Sequence, residues 1–248
     1  MRYKLGQILA KNYSYNFNIP KRTKKSIKFI VIHYTGMKKE SEALKKLCDP
    51  KSQVSAHYFI KNNGKILILV PNLYQAWHAG ISSWQRFNSL NKNSIGIEIS
   101  NPGHKFGYKK FSSKQMVSLK KLLKSLMKEY KINEKNILGH SDIAPNRKQD
   151  PGEKFPWRDL ASKKLSYWHN LNYKRIKKFR KVKLSNVNEI VFIKNLSKIG
   201  YKRIKGIDFI ENTKYLTKAF QRRFRQELVN GKIDKECLKI SNNLAKNC

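Results

Sequence analysis

IKFIVIHYT, residues 27–35, is the stretch on which the fold turns. Both of its alternating faces are apolar until His33, the pattern of an interior strand covered on both sides. It ends in a histidine where strand gives way to loop. A second run of the same kind, SIGIEIS at residues 94–100, sets Ile95, Ile97 and Ile99 on one face and Gly96 and Glu98 on the other. Between them, HYFIKNNGKILILV (57–70) reads as a β-hairpin, two apolar runs joined through Asn62-Asn63-Gly64. From Phe111 the period lengthens. Met116, Leu119, Leu122, Leu123, Leu126, Met127 and Tyr130 recur at helical spacing, with Ser112 as N-cap, Gln115 three residues on and Phe111 placed to staple onto Met116. Strands alternating with helices predict an α/β fold with a mixed central β-sheet flanked by helices.

Two features of this frame carry chemistry. Glu98 sits opposite the isoleucines of a very apolar strand, so it reaches either a polar cleft or an exposed edge. The segment GHSDIAPNRKQDPG (139–152) follows the short apolar run Ile137-Leu138-Gly139, which reads as the end of a buried strand. It places His140, Lys148 and Asp150 in a loop constrained by Pro145, Pro151 and Gly152. In an extended segment Lys148 and Asp150 leave the backbone on the same side. A nitrogen ligand, a carboxylate and a cation held together suit a metal site, and they also suit a solvated surface loop.

Composition narrows the class. The chain has 248 residues, 40% of them hydrophobic, enough for one domain of ordinary size and a small second one. Cys48, Cys237 and Cys248 form no CxxC pair, so neither a disulfide framework nor a thiolate zinc site is indicated. No apolar run approaches the roughly 20 residues that span a bilayer. The N-terminus has the positive charge of a signal peptide, but Ile8-Leu9-Ala10 is too short for its apolar core and no lipobox cysteine follows. The net charge of +38 attracts polyanions such as nucleic acid, anionic lipid or a carboxylate-rich wall polymer. The lysines are spread along the whole chain, and AT-biased codon usage gives the same Lys, Asn and Ile richness, so charge does not specify the partner.

The C-terminal third differs from the rest. KKLSYWHNLNYKRIKKFRKVKLS, within residues 163–186, is strongly basic and reads as a linker or connecting helix. Tyr167, Trp168, Tyr173 and Phe179 interleave with its basic residues, a composition that suits either one packed aromatic face or nucleic-acid or glycan contact. Helical patterns follow from Val191 to Ile199, ending at Gly200, and from Thr217 to Leu228, ending before Asn230-Gly231. A small helical domain of about 60 residues fits.

Of the histidines, His33 and His140 both directly follow apolar strands, and Asp150 is tethered ten residues beyond His140. Two imidazoles and one carboxylate form a set that leaves the fourth tetrahedral position of zinc for water. The segments VIHYTG (31–36), VSAHYFI (54–60), AWHAG (76–80), NKNSIGIEI (91–99) and GHSDIAPNRKQDPG (139–152) together resemble the zinc-dependent N-acetylmuramoyl-L-alanine amidases, the amidase-2 family. The likeness spans about residues 24–162 and is nearest to the AmpD/AmiD-like branch. It implies one Zn2+ per chain held by His33, His140 and Asp150, with Glu98 as catalytic carboxylate and Lys148 stabilising the oxyanion. His57, Trp77 and His78 are implied to lie on the substrate side. Ala56 stands where the phage lysozyme of the family has a tyrosine, which leaves the acid/base role to Glu98.

The implied partner is peptidoglycan or its muropeptides, with no specific nucleic acid, no membrane span and a monomeric chain. The implied reaction is hydrolysis of the amide between N-acetylmuramic acid (or its 1,6-anhydro form) and L-alanine. A non-catalytic muropeptide-binding protein is the alternative. Leu196, Ile199-Gly200-Tyr201, the AFQRRF run at 219–224 and NGKID at 230–234 resemble a three-helix peptidoglycan-binding domain. The resulting division is an N-terminal extension (1–23), a catalytic domain (24–162), a basic linker (163–186) and a wall-binding-like helical domain (187–248). An appended domain of that kind points to an extracytoplasmic wall substrate, the bare N-terminus to a cytoplasmic one, and the former is favoured.

Overall fold

The computed structural model describes residues 12–246. Residues 1–11 of the expected N-terminal extension, including Ile8-Leu9-Ala10, and also Cys248, lie outside the described residues. In chain order the strands are β1 (Phe17–Asn18), β2 (Phe29–Tyr34), β3 (Tyr58–Ile60), β4 (Ile66–Ile68), β5 (Gln75–Ala76), β6 (Ser83–Trp84), β7 (Phe87–Asn88), β8 (Ser94–Ile99) and β9 (Ile137–Gly139). The helices are α1 (Glu40–Cys48), α2 (Ser113–Tyr130), α3 (His140–Ile143), α4 (Trp157–Ala161), α5 (Tyr173–Lys177), α6 (Asn186–Ile199), α7 (Phe209–Phe224) and α8 (Lys235–Lys246). By internal packing the chain forms two compact units. One holds the residues up to Gly80 together with Ser89–Leu138, and the other holds Ile81–Asn88 and the residues from Gly139 onward.

The first unit is organised by a five-stranded mixed sheet in the order β4-β3-β8-β2-β9. β8 pairs in parallel with both β2 and β3, and β3 pairs antiparallel with β4. The hairpin turns at Asn62-Asn63-Gly64, where Lys61 and Lys65 share a 2.9 Å backbone bond and Gly64 takes a φ of +86° that favours glycine. Register decides which side chains share a face. Val31 stands opposite Gly96 and His33 opposite Glu98 in the β2–β8 pair. Strand alternation then puts Ser94, Gly96 and Glu98 on one face of β8, and Ile95, Ile97 and Ile99, all fully buried, on the other.

Helix α2 keeps the start expected for it. Ser112 Oγ accepts from Gln115 N, and Gln115 Oε1 accepts from Ser112 N, closing a capping box. Met116, Leu119, Leu122, Leu123, Leu126 and Tyr130 form its buried stripe. Helix α1 has no counterpart in the sequence reading; it is short, has no side-chain cap, and buries only Ala43 and Leu47, against Phe59 and Leu69.

In the second unit, α6, α7 and α8 supply the expected C-terminal helices, with Phe192 and Phe220 meeting edge to face at 5.2 Å. Helix α6 ends at Gly200 as the sequence indicates. Helix α7 differs from its expected span. It starts at an Asp208 cap that accepts from Ile210 N and Glu211 N, and it stops at Phe224. The stop has a tertiary cause: Arg225 leaves the helix and pairs with Asp234 at 2.9 Å, wholly buried. The basic segment contains only the short α5, not a continuous connecting helix. Its aromatic residues are engaged within the unit. Tyr167 Oη donates to Leu244 O, Tyr173 Oη to Glu227 Oε1, and Trp168 stacks on His169. Lys178, Lys235 and Lys239 lie over the Phe179 ring.

Candidate active site

His33 is the penultimate residue of β2 and is 1% exposed. Glu98, its register partner on β8, shares its face and is half-buried on an interior strand of the sheet, so it does not lie at an exposed edge. β9 lies next to β2 in the sheet, and His140 is the first residue after it. The two histidines thus leave neighbouring strands. His33, His140 and Asp150 are all buried, and each offers one ligand atom to a set lying within 4.8 Å of one another. His140 Nδ1 and Asp150 Oδ2 are 3.0 Å apart.

The backbone after β9 does not run on as an open loop. It makes the single helical turn α3, and Ser141 N donates to Asp150 O at 2.8 Å, which brings the two ends of the segment together. Lys148 follows the turn, with its N–H bonded to Ala144 O at 3.0 Å and its side chain half-exposed. Asp142, 2% exposed, is the anchor of this turn. Its carboxylate accepts from Gly139 N at 2.8 Å, from Arg223 Nη1 at 2.6 Å and from Tyr201 Oη at 2.7 Å. Burial, and then the charge of Asp142, push the Tyr201 phenol well above its ordinary range, so it acts as a donor. Arg223 also lies over the Trp157 ring at 4.6 Å.

His33 rests on a different arrangement. His33 Nε2 is 3.0 Å from His78 Nδ1, and His78 Nε2 is 3.2 Å from Ser94 Oγ. Behind His78 lies His57, with ring centroids 5.5 Å apart. His57 is fully buried: Nδ1 accepts from Gly96 N at 2.9 Å, and Nε2 lies 3.0 Å from both Tyr74 O and Arg22 Nη2. Burial, aided by the Arg22 charge, lowers the His57 pKa to about 3, so the ring is neutral. Arg22 bonds besides to the carbonyls of Asn72, Asn91 and Ser94. Trp77 is half-buried, with its indole N–H donated to Asn18 Oδ1.

Of the residues expected at the site, all buried or half-buried, His33, Glu98 and His140 lie at the ends of β2, β8 and β9, Lys148 and Asp150 in the segment that follows, His57 just ahead of β3, and Trp77 and His78 just after β5. Arg22, Ser94, Asp142, Tyr201 and Arg223 had no such expectation. Asp142 carries a local signal, an acid at the third position of a turn that opens with glycine. Arg223 and Tyr201 stand out in the sequence only as marks of the C-terminal helices.

His33, His140 and Asp150 form a group that could hold a metal ion, a donor set of the kind found in open metal sites. The sequence matches the family model described as N-acetylmuramoyl-L-alanine amidase over residues 23–153, and the chain belongs to that family of enzymes. The amidase AmiD of Escherichia coli (strain K12) is 35% identical over 227 residues, which cover 87% of this chain and 81% of that protein. The solved complex of E. coli AmiD with the substrate anhydro-N-acetylmuramic acid-L-Ala-D-gamma-Glu-L-Lys superposes with a TM-score of 0.79 at 33% identity, covering 93% of each chain. AmpDh3 from Pseudomonas aeruginosa gives a TM-score of 0.78 at 29% identity, covering 96% of this chain and 98% of that one.

Proposed function

We propose that this chain hydrolyses the amide joining the muramic acid lactyl group to L-alanine in peptidoglycan or its anhydro-muropeptides, with one zinc ion held by His33, His140 and Asp150. The observation that carries the reading is the buried donor set itself, with Glu98 in register beside His33. Two imidazoles and a carboxylate fit zinc and leave a position open. When bound there, zinc supplies Lewis acidity, lowering the pKa of water to about 7 and polarising the scissile carbonyl.

Glu98 takes the proton from the attacking water and returns it to the departing amine of L-alanine. Its half-buried place on an otherwise apolar strand supports this, since a carboxylate there is neither solvated freely nor sealed off. Lys148 holds its charge against the carbonyl oxygen as negative charge develops. Trp77 keeps a half-exposed ring for the sugar or peptide. Each ring nitrogen of His57 lies within bonding distance of a main-chain group, so we assign it to holding β8 and the Tyr74 loop together rather than to substrate. We retain the division into a catalytic domain at 24–162 and a wall-binding-like helical domain at 187–248, linked by 163–186. The location of the substrate, extracytoplasmic wall or cytoplasmic fragment, follows from which form is cleaved. Among the described residues no helix is long and apolar enough to cross a membrane.

Mass spectrometry of products from intact sacculi and from anhydro-muropeptides tests the reading. Release of free stem peptides beginning with L-alanine is expected. Glu98→Gln should retain zinc and lose at least about 100-fold in turnover, whereas His33→Ala should lose the metal. Zinc-loaded wild type that binds muropeptides without releasing peptide would favour the non-catalytic alternative.

A further inference from the structure

We infer that a directional hydrogen-bond relay, Leu90 carbonyl to Ser94 to His78, fixes the tautomer of His33, and that His78 is therefore a positioning residue and not a substrate contact. This rests on His33 being a metal ligand.

The direction follows from donor bookkeeping. Ser94 Oγ is 2.6 Å from Leu90 O, and a carbonyl can only accept, so the hydroxyl proton is committed to it. Ser94 Oγ is then left as an acceptor toward His78 Nε2 at 3.2 Å. The neutral His78 ring then carries its proton on Nε2, which makes Nδ1 the acceptor. The group at Nδ1 is His33 Nε2, 3.0 Å away, so His33 must be protonated there. Its lone pair is then on Nδ1, the nitrogen that would ligate a metal. An N–H donated to a fixed acceptor also sets the ring plane and raises the basicity of the ligating nitrogen.

The surroundings are shaped for this one ring. His78 is 8% exposed and Ser94 fully buried. The backbone of His78 is clamped by Asn91, whose Oδ1 accepts from His78 N at 3.1 Å and from Ala79 N at 2.7 Å. Gly96 explains itself in the same way. A Cβ built there would lie 2.3 Å from His78 Cγ and 2.6 Å from Nδ1, so only glycine leaves room for the ring on the face that β8 shares with His33. The glycine in SIGIEIS is there for a side chain and not for a turn.

Two measurements test this. In the metal-free full-length protein, long-range 1H–15N spectra of the histidine rings should show His78 and His33 each protonated on Nε2. A proton on His78 Nδ1 would overturn the relay, whatever the protein does with zinc. In chelator competition, His78→Leu should weaken zinc binding by about 10- to 100-fold. His78→Asn, whose amide oxygen can stand in for Nδ1, should recover most of that loss. Ser94→Ala should cost only a few-fold, since it frees the direction without removing the acceptor. Equal zinc affinity in wild type and His78→Leu would overturn the proposal while leaving the metal site intact. Wild type that binds no zinc would instead overturn the assignment of His33 on which it rests. Should His78→Leu fail to fold, the spectra and the Asn variant still decide.

Discussion

The support behind His33 and the support behind His140 are built from opposite materials. His33 is backed by a chain of hydrogen bonds through the His78 ring, Ser94 and a carbonyl, with the neutral His57 ring one layer further back. His140 is backed by charge, since Asp142 two residues on is pinned by Arg223 and Tyr201 in a fully buried cluster. The two solutions follow from where each histidine sits. His33 is inside a sheet whose ladder already fixes the backbone, so only the ring needs orienting. His140 begins a single turn of helix that no ladder holds. There the backbone itself must be tied down, and an ion pair with several hydrogen bonds does that. A neutral relay is sensitive to shape and direction, a buried ion pair to the loss of either partner.

The largest effect should come from breaking the charged support. Arg223→Met leaves Asp142 buried with no cation at 2.6 Å, and removal of one partner of such a pair costs about 3–5 kcal/mol. Urea titration in chelator should show a loss of that size, and Asp142→Asn combined with Arg223→Met should recover much of it, because the uncompensated charge is gone. A single-variant loss below about 1 kcal/mol would place this pair with weak surface bridges and dissolve the contrast. Gly96→Ala tests the neutral support through shape. Overpacking a filled core costs about 1–3 kcal/mol, and a methyl 2.3 Å from a buried ring carbon belongs at the upper end. Zinc affinity should fall with it. In a His78→Ala background the same substitution should cost far less, because the space has been vacated. Equal costs in both backgrounds would mean that His78 is not what requires the glycine.

The contrast between the supports also explains what could be read from sequence. The strands carrying His33 and Glu98 were legible because two-sided burial writes a continuous apolar run and strand alternation sets Glu98 apart from the isoleucines. Helix α2 was legible for the same kind of reason, with a local cap and a long stripe. The histidine layer was half legible: the residues could be named, but His57 and His78 could not be given work until register and ring contacts were known. Of the charged support only Asp142 carries a local signal, and its pairing was not legible. Asp142 and Arg223 are 81 residues apart, and nothing local marks Arg223 as the partner of a turn so far back. The early end of α7 is hidden likewise, because Arg225 is drawn out of the helix by Asp234, a tertiary preference that overrides a good helical pattern.

The smallest effect per group separates the units by pH. His57 in the first unit has its pKa lowered to about 3 by burial and by Arg22, and His169 in the second to about 4 by burial and by Arg158. In the unfolded chain both titrate near 6.5. As pH falls below that value the unfolded state takes up a proton that the folded state refuses, so stability is lost with acid, down to about pH 3 for His57 and about pH 4 for His169. From pH 7 to pH 5 each ring should cost on the order of 2 kcal/mol. Denaturant titrations in chelator at those two pH values measure the sum. Ring-proton NMR assigns it, because the His57 and His169 signals should stay flat from pH 7 to pH 5. If His57 titrated near 6.5, it would hold a charge beside Arg22. The support behind His33 would then not be neutral, and the contrast between the two halves would fail at its simpler side.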